Sequence, residues 1–398
     1  MNSIYLFILL LSISLITCYV YIKYKYGFWF IQPVFHIYNI GYYLFPPGII
    51  NHHLPEKNKY INFTNIKTYI YSETPSHKLS QFINFIRQYY LQNKDNIYNP
   101  GENNITPYFY GHNFSPFLSL YFKDNYLIDT KTNLTITEDK LVGVITSRPL
   151  NVYIHKDKET MTVYYADYLC VHKNYRKKGI ASQLIQTHHY NQSYLNKNIV
   201  VSLFKREEEL TGIIPLCVYS TYGFSVKKWT KPYKLLAYYT LIEVNKENLY
   251  LLYEFINNNK PNFDIIITNE ITNIIELIKT KNIFINAIIY NNKIIAVYFF
   301  RKSCVDIEKG MEVLSCFASI NSDRNNDNIF IQGFKISFWE IAFKNNFGYC
   351  AIENISHNNI IISNIMKKTK PTITSPTAYF FYNFAYPTFK PEKCLIIH

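Results

Sequence analysis

The feature that most constrains the fold of this chain is its N-terminus, where residues 1–22 contain no charged side chain. Residues 3–22 read SIYLFILLLSISLITCYVYI. As a helix, about 20 apolar residues cross about 30 Å of hydrocarbon. A core helix would normally show a polar face, and a cleaved signal peptide would begin with basic residues. This segment shows neither feature clearly, but both remain alternatives. The sequence predicts a transmembrane anchor over residues 1–25, with residues 3–22 in the membrane.

The charges that follow this run predict its orientation. Lys23 and Lys25 come directly after it, and positive residues favour the cytosolic side of a membrane. We therefore expect a single-pass membrane protein whose body faces the cytosol. The seven cysteines are scattered without a C-x-x-C pair, which fits a reducing compartment and predicts no metal site.

The rest of the chain reads as two successive α/β units. With 398 residues, 48% of them hydrophobic, it can form two or three domains with real cores. We place an N-terminal half at residues 26–233 and a C-terminal half at residues 234–398. Periodicity predicts helices at 77–92, 180–195, 247–256 and 332–344, and strands at 140–147, 151–155, 162–171, 286–290, 294–299 and 349–352.

The net charge of +13 admits several partners. Nucleic acid, an anionic membrane and a phosphorylated small molecule all attract positive charge. Compositional bias is a further source, because Asn, Ile, Lys, Tyr and Phe are heavily used. The lysines are dispersed rather than gathered in a stripe with stacking aromatics, so no nucleic-acid partner is expected.

The most informative segment is residues 168–182, YLCVHKNYRKKGIAS. A buried strand ends in a basic turn, and Gly179 stands where a helix begins. Such a turn directs backbone N–H groups and a helix N-terminus at one point, which suits a phosphate, and Arg176, Lys177 and Lys178 add charge. This pattern is typical of acyl-CoA-dependent N-acyltransferases. The alternative is a solvated strand-to-helix turn in a lysine-rich chain.

Residues 169–173 (LCVHK), with Arg176 and Ala181 after them, resemble the signature of the glycylpeptide N-tetradecanoyltransferases, the N-myristoyltransferases. Further segments resemble this family in the same order along residues 26–398. They are 28–34 (FWFIQPV), 113–116 (NFSP), 140–143 (KLVG), 379–384 (YFFYNF) and the apolar end at 393–398.

The resemblance implies an α/β fold of two fused acetyltransferase-like (GNAT-like) halves with mixed central sheets. The first half would bind acyl-CoA and the second the peptide. The implied reaction moves a myristoyl or other fatty acyl group from acyl-CoA to the N-terminal glycine amine of a protein or peptide. Myristoyl-CoA would be a co-substrate, with no cofactor and no metal, and we expect a monomer.

The resemblance also implies site residues. Backbone amides of Tyr168 and Leu169 would form the oxyanion hole, and the base would be a C-terminal carboxylate, here on His398. The implied acyl-CoA contacts are Gly27, Phe28, Trp29, Tyr168, Leu169, Cys170, Val171, Arg176, Lys177, Gly179, Ile180, Ala181 and Ser182. Trp29 could equally be a core residue, and His172 is expected to be structural.

Departures from the family concern the peptide half. Residues 203–206 (LFKR) lack the small residues of a Thr-Ala-Gly segment, residues 374–376 (TSP) replace a Gly-Asp-Gly turn, and the acidic loop at 94–96 is thin. They predict altered peptide preference or another acceptor. Two alternatives remain. One is an acetyl-CoA-dependent GNAT acetyltransferase, because residues 219–224 resemble the Tyr-x-x-x-Gly-Phe ending of those domains. The other is a non-catalytic, membrane-tethered acyl-CoA- or peptide-binding protein.

Overall fold

The computed structural model describes residues 2–25, 27–92, 96–128, 135–207, 212–308, 310–323 and 326–398. The helices are α1 (Asn2–Lys25), α2 (Ile40–Leu44), α3 (Ser76–Tyr89), α4 (Glu102–Ile105), α5 (Ile180–Leu195), α6 (Leu249–Asn259), α7 (Ile271–Lys279), α8 (Asp327–Asn345) and α9 (Asn358–Met366). The strands are β1 (Gly48–Ile49), β2 (Ile66–Ile70), β3 (Ile97–Tyr98), β4 (Phe117–Ile128), β5 (Thr135–Ile154), β6 (Glu159–Val171), β7 (Ser202–Glu207), β8 (Cys217–Ser225), β9 (Tyr239–Glu243), β10 (Ile265–Thr268), β11 (Ile283–Tyr290), β12 (Lys293–Glu308), β13 (Met311–Asn321), β14 (Phe347–Glu353), β15 (Ile373–Tyr382), β16 (Phe384–Ala385) and β17 (Cys394–Ile397).

Helix α1 has the length and composition of a membrane span. Its segment Ile4–Tyr21 has a mean hydropathy of 2.2, and none of it is buried against the rest of the described chain. A core helix would be covered by other elements, so the structure argues against the core-helix alternative.

A 15-stranded mixed sheet carries most of the fold among the described residues. Its main path runs β17-β10-β5-β6-β7-β15-β8-β14-β13-β12-β11-β9. Off this path, β4 pairs with β5, β2 pairs with β4, and β3 pairs with β12. Strands β6 and β7 pair in parallel, and helix α5 connects them. Strands β13 and β14 pair in the same way, and helix α8 connects them. The duplicated α/β architecture predicted from the sequence is therefore present.

The two units share their strands. Strand β10 pairs with β5 of the first unit, and β17 pairs with β10. Strand β15 lies between β7 and β8. Because strands from both sides of the predicted boundary at residues 233 and 234 alternate in one sheet, that boundary stays a prediction.

Strand β5 differs from what the sequence predicted. We expected two strands, at 140–147 and 151–155, but β5 runs without a break through Pro149. Proline lacks an N–H and is usually confined to places where no ladder bond is required. On one side of β5, β4 pairs as far as Ser147 and β10 begins at Asn151, so residues 148–150 have no partner there.

The register shows why Pro149 is tolerated. It lies opposite Tyr164 of β6, and the Tyr164 N–H points the other way, donating to the Val201 carbonyl at 3.0 Å. The two residues therefore form a non-hydrogen-bonded antiparallel pair. The ring nitrogen of Pro149 therefore faces the gap between β4 and β10. No described strand pairs with β5 in this gap, so the missing proline N–H leaves no strand carbonyl without a donor.

Helix α5 packs tightly on the sheet, with the bounds that its sequence predicted. A Cβ at Gly143 of β5 would lie 2.8 Å from Leu184 Cδ1 and 3.3 Å from Ile180 Cγ2. On the next turn, the buried His188 lies between Ser119 Oγ, 2.8 Å from Nδ1, and Ser147 Oγ, 2.9 Å from Nε2. These contacts hold α5 against β4 and β5.

Candidate active site

Strand β6 carries a bulge next to the predicted basic turn. Val144 pairs with Cys170 and Thr146 with Asp167, so Tyr168 and Leu169 together lie opposite Ile145 alone. Tyr168 has the unusual φ of 48°. A bulge removes residues from the ladder and turns their amides aside. The backbone N–H groups of Tyr168 and Leu169 are thus free of the β5–β6 pairing, as an oxyanion hole requires.

A cavity of about 650 Å³, which we call the first cavity, opens beside this bulge. The start of α5 forms one wall, and the loop after α1 forms another, with Trp29 stacked on Phe204 at 5.5 Å. Its lining includes Phe28, Trp29, Ile145, Asp167, Tyr168, Leu169, Ala181, Ser182, Ile185, His188, His189, Phe204 and Tyr382. The volume lies in the range of small-molecule and cofactor sites.

The two histidines in this lining are uncharged. Burial lowers the pKa of His188 to about 3, and the neighbouring His189 adds to the effect. Burial likewise lowers the pKa of His189 to about 4. At neutral pH these two histidines and the aromatic and aliphatic lining form an uncharged part of the wall, which suits an apolar ligand. The charged part of the same wall is formed by Asp167, Lys205, Arg206 and Glu207.

The turn from β6 to α5 has the shape expected of an anion site. Lys177 and Gly179 both have positive φ, 61° and 77°, and Gly179 is the N-cap of α5 without a capping side chain. The first amides of α5 are therefore open to a ligand. Arg176 uses its guanidinium on backbone carbonyls instead, at 3.2 Å from Val171 and 3.4 Å from Tyr89.

His172 is structural, as the sequence predicted. Its Nδ1 accepts the Asn174 N–H at 3.2 Å and so caps the 3-10 turn. Burial lowers its pKa, and Lys140, Lys173 and Arg176 contribute to the shift. A neutral imidazole with an acceptor at Nδ1 is what this cap requires.

Lysines from neighbouring strands add to the positive charge at this turn. The ammonium groups of Lys123, Lys140 and Lys178 lie 5.4, 5.9 and 5.3 Å from the centre of the Tyr175 ring. Sequence reasoning missed Lys123 and assigned no binding role to Lys140. They come from β4 and β5, so only the strand register brings them to the turn.

A second cavity, of about 900 Å³, lies on the other side of the bulge. It shares Tyr90, Leu91, Tyr165, Asp167, Tyr168, Lys205 and Glu207 with the first cavity. Strands of both units form the rest of its wall, which includes Arg148, Arg301, Lys302, Glu353, Thr374, Ser375, Pro376, Thr377 and His398. The bulge at Tyr168 therefore stands where the two cavities meet.

A buried charge cluster forms one wall of the second cavity. Glu353 is only 4% exposed and accepts from Arg301 at 3.0 Å and Lys205 at 3.4 Å. The Tyr219 hydroxyl donates to the same carboxylate. Burial by itself would raise the pKa of Glu353, but Lys205 and Arg301 hold it below its ordinary value. The cluster is thus ionised.

His398 joins this cluster and lies buried in the cavity wall. Its main-chain oxygen accepts from Arg301 at 3.2 Å. Its Nδ1 faces the Arg148 guanidinium at 3.1 Å, and its Nε2 faces the Tyr379 hydroxyl at 2.9 Å. Since arginine can only donate, Nδ1 is the acceptor. Burial, followed by Arg148, Arg301 and Lys205, lowers the pKa of His398 well below its usual value.

The structure brings together some predicted site residues and leaves others in the core. Phe28, Trp29, Tyr168, Leu169, Ala181 and Ser182 line the first cavity, and His398 the second. Cys170 and Ile180 are 5% and 6% exposed and pack in hydrophobic clusters. Burial also raises the pKa of Cys170 to about 12. Gly27, Val171, Arg176, Lys177 and Gly179 line neither cavity, so their acyl-CoA contacts stay predictions.

The residues that departed from the family pattern lie in the cavity walls. Phe204, Lys205 and Arg206 line the first cavity, and residues 374–376 the second. Residues 94 and 95 of the thin acidic loop lie outside the described residues. Sequence reasoning missed Asp167, Arg148, Arg301 and Glu353, which are far apart in the chain. In the described residues, no cluster of His, Cys, Asp or Glu has the make-up of a metal site.

Comparisons with known proteins agree with this architecture. Residues 58–217 match the family model of the myristoyl-CoA:protein N-myristoyltransferase N-terminal domain. The fold is similar to Saccharomyces cerevisiae N-myristoyltransferase with bound myristoyl-CoA, at a TM-score of 0.70 and 12% identity over 92% of this chain and 94% of that chain. A second structure of the yeast enzyme with bound myristoyl-CoA gives a TM-score of 0.68 and 13% identity over 91% and 89%.

A tandem GNAT protein from the clavulanic acid biosynthesis pathway is similar as well. Its TM-score is 0.52 at 8% identity, covering 81% of this chain and 100% of that chain. The predicted α/β fold of two fused GNAT-like halves is therefore confirmed. Comparison with curated protein sequences finds no match.

Proposed function

The chain belongs to the N-myristoyltransferase family, whose N-terminal domain its residues 58–217 match, and on this premise we propose that it transfers a fatty acyl group from acyl-CoA to the N-terminal glycine amine of a protein or peptide. Myristoyl-CoA is the proposed co-substrate. The observation that carries this proposal is the bulge at Tyr168 and Leu169. It turns two amides out of the β5–β6 ladder at the place where two cavities meet, one for each substrate.

The first cavity would hold the acyl-CoA. The uncharged part of its wall, around His188 and His189, suits an acyl chain, and the start of α5 with Lys123, Lys140 and Lys178 suits the phosphates of coenzyme A. The thioester carbonyl would then lie at the bulge. As the amine attacks, negative charge develops on the carbonyl oxygen, and two preorganised N–H donors stabilise it.

The second cavity would hold the acceptor. The resemblance gives the role of base to a carboxylate at His398. Arg301 and Arg148 lie against that residue, and their charges favour an ionised carboxylate but make it a weaker base. The altered wall at Lys205 and residues 374–376 supports an acceptor preference that differs from the rest of the family.

The geometry also bears on the two alternatives. In the acetyltransferase alternative, Tyr219 would protonate the leaving thiolate, but its hydroxyl is buried and donates to Glu353. It also lines neither cavity. A non-catalytic binder needs no amides turned out of the β5–β6 ladder at the bulge. Both observations favour a fatty acyl transferase.

Helix α1 would tether this site to a membrane, and a second apolar surface supports that proposal. Residues 37–45 expose Ile37, Ile40, Tyr43, Leu44 and Phe45, with Phe45 81% exposed; we call this surface the 37–45 patch. Ring contacts join it to α1, from Tyr19 to Phe30 at 5.5 Å and from Phe30 to Tyr38 at 5.9 Å. The patch would dip into the bilayer interface and hold the first cavity beside it.

Transfer itself is tested with the full chain reconstituted in phosphatidylcholine vesicles. Labelled acyl-CoAs of increasing chain length are offered together with a library of glycine-led peptides, and acylated peptide is measured by mass spectrometry. We expect transfer of long-chain acyl groups and little transfer of acetyl. Acyl-CoA binding without transfer to any peptide would support the non-catalytic alternative, and acetyl transfer would support the acetyltransferase.

A further inference from the structure

Asp167 is one of two carboxylates in the wall that the two cavities share, the other being Glu207. It is the last residue of β6 before the bulge and is half-buried. Among the described residues it takes part in no ion pair. A partly desolvated carboxylate without a counter-charge costs free energy, which a cationic ligand would offset.

The hydrogen bond of Asp167 links it to the oxyanion hole. Its Oδ1 accepts the Tyr168 N–H at 2.8 Å. This is one of the two amides that the bulge frees from β5. In this arrangement the carboxylate occupies a donor that the reaction needs, so it must turn away before a thioester oxygen can use that N–H. An arriving ammonium group, which binds a carboxylate more strongly than a neutral amide does, would cause that turn.

The other candidate for the base lies among cations. The main-chain oxygen of His398 accepts from Arg301, and Arg148 is hydrogen-bonded to its ring. An ammonium group brought to this oxygen would meet two positive charges at short range, which opposes its binding. Asp167 forms no ion pair with a described residue, and it directly precedes Tyr168 and Leu169, the proposed oxyanion donors.

We propose that Asp167 binds the α-ammonium of the acceptor and accepts its proton. This inference rests on the proposed acyl transfer and assigns its base. The proton passes from nitrogen to an Asp167 oxygen, and the freed lone pair forms the new C–N bond at the thioester carbonyl. The carbonyl π electrons move to oxygen, held by the Tyr168 and Leu169 amides. When they return, the C–S bond breaks, and the thiolate leaves with the second nitrogen proton.

The test compares Asp167→Asn with wild type, using the full chain in vesicles and two acceptors. One is a glycine-led peptide, and the other is the same peptide led by aminooxyacetate, whose terminal amine is neutral at pH 7. A general base contributes about 10²–10⁴-fold. We therefore expect Asp167→Asn to slow glycine acylation by about 10²-fold or more. With the neutral amine, which has no ammonium proton to lose, the slowing should be far smaller.

Two further variants separate catalysis from structure. Glu276→Gln removes a carboxylate of α7 that lines neither cavity, and should keep the wild-type rate. Asp167→Glu keeps a carboxylate and should recover part of the lost rate. Acyl-CoA affinity and melting temperature, measured on each variant, should match wild type. If Asp167→Asn fails to fold, Asp167→Ser is the second neutral variant.

Several outcomes would overturn the inference. They are an unchanged rate in Asp167→Asn, an equal loss with both acceptors, or an Asp167→Glu variant as slow as Asp167→Asn. Each of these requires an active wild-type protein. A wild type that acylates neither acceptor overturns the proposed function instead, so the two failures are distinguishable.

Discussion

Arg301 joins the two ends of the second cavity's charge cluster: one of its nitrogens lies 3.0 Å from Glu353 Oε1, and another donates to the main-chain oxygen of His398 at 3.2 Å. One guanidinium thus fixes the final strand, β17, against β12 and β14. Because this contact lies in the wall of the second cavity, stability and the proposed binding of the acceptor should be coupled there.

Glu353→Gln should therefore destabilise the protein strongly. It leaves Arg301 and Lys205 without their buried counter-charge, and breaking a buried ion pair costs about 3–5 kcal/mol. Chemical denaturation of wild type and variant measures the difference. Glu276→Gln, which breaks the exposed pair with Lys279, is the matched control and should cost less than about 1 kcal/mol. Equal costs would show that the cluster is not an important source of stability.

The same carboxylate predicts a pH dependence. Its pKa is lower in the folded protein than its ordinary value. Its contribution should be fully present above the unfolded pKa of about 4.3 and should disappear as pH falls through the lower, folded pKa. The difference in unfolding free energy between wild type and Glu353→Gln should therefore shrink below about pH 4. A difference that stays constant down to acid pH would contradict the ionised assignment.

His188 should produce a second, distinct acid dependence. Its pKa in the folded protein is about 3, below the ordinary 6.5, so the unfolded chain takes up a proton first as pH falls. The stability it contributes is present above pH 6.5 and is lost between pH 6.5 and about 3. His188→Gln should flatten this part of the stability profile, whereas the exposed His52→Gln should leave it unchanged. Equal slopes in wild type and His188→Gln would refute the assignment.

Gly143→Ala should disturb the seat of α5. The added Cβ would lie 2.8 Å from Leu184 Cδ1, and overpacking of this kind costs about 1–3 kcal/mol. Acyl-CoA affinity should fall as well, because the N-terminus of α5 moves. Gly41→Ala, where no atom lies within 4 Å of the added Cβ, is the control. Isothermal titration with myristoyl-CoA measures the affinity. An unchanged affinity would show that acyl-CoA binding does not depend on the position of α5.

The lysines around Tyr175 should bind the phosphates of coenzyme A. Replacing Lys123, Lys140 and Lys178 together with Gln should weaken acyl-CoA binding and reduce its dependence on salt. Lys344→Gln, an exposed lysine of α8, should change neither. A triple variant with wild-type affinity would place the phosphates elsewhere.

The 37–45 patch should lie in lipid when the full chain is in vesicles. An environment-sensitive fluorophore on Leu44→Cys, in a Cys18→Ser background, should be quenched by lipids brominated in their acyl chains. The same label on Phe343→Cys, a similarly exposed site on α8 (81% against 72% for Leu44), should not be quenched. Flotation with vesicles but no quenching at residue 44 would leave α1 as the anchor and remove the patch from the membrane. Failure to float would contradict the anchor.

The sequence by itself determined the local elements of this protein. The apolar run of α1, the helix at 180–195 and the strand-turn-helix around Gly179 follow from periodicity, charge and glycine placement, which act over a few residues. The fold class followed from several weak resemblances in the same order along the chain. Strand β13 was missed, because a strand buried along most of its length shows no alternation between polar and apolar residues.

The tertiary structure decided where the chemistry lies. Only the register of β5 against β6 creates the bulge at Tyr168 and turns Asp167 towards both cavities. Only the order of strands in the sheet brings Arg148, Arg301, Glu353 and His398 together, although they are up to 250 residues apart. Pairings of this kind depend on long-range packing and hydrogen bonding. No local pattern around any one of these residues records them.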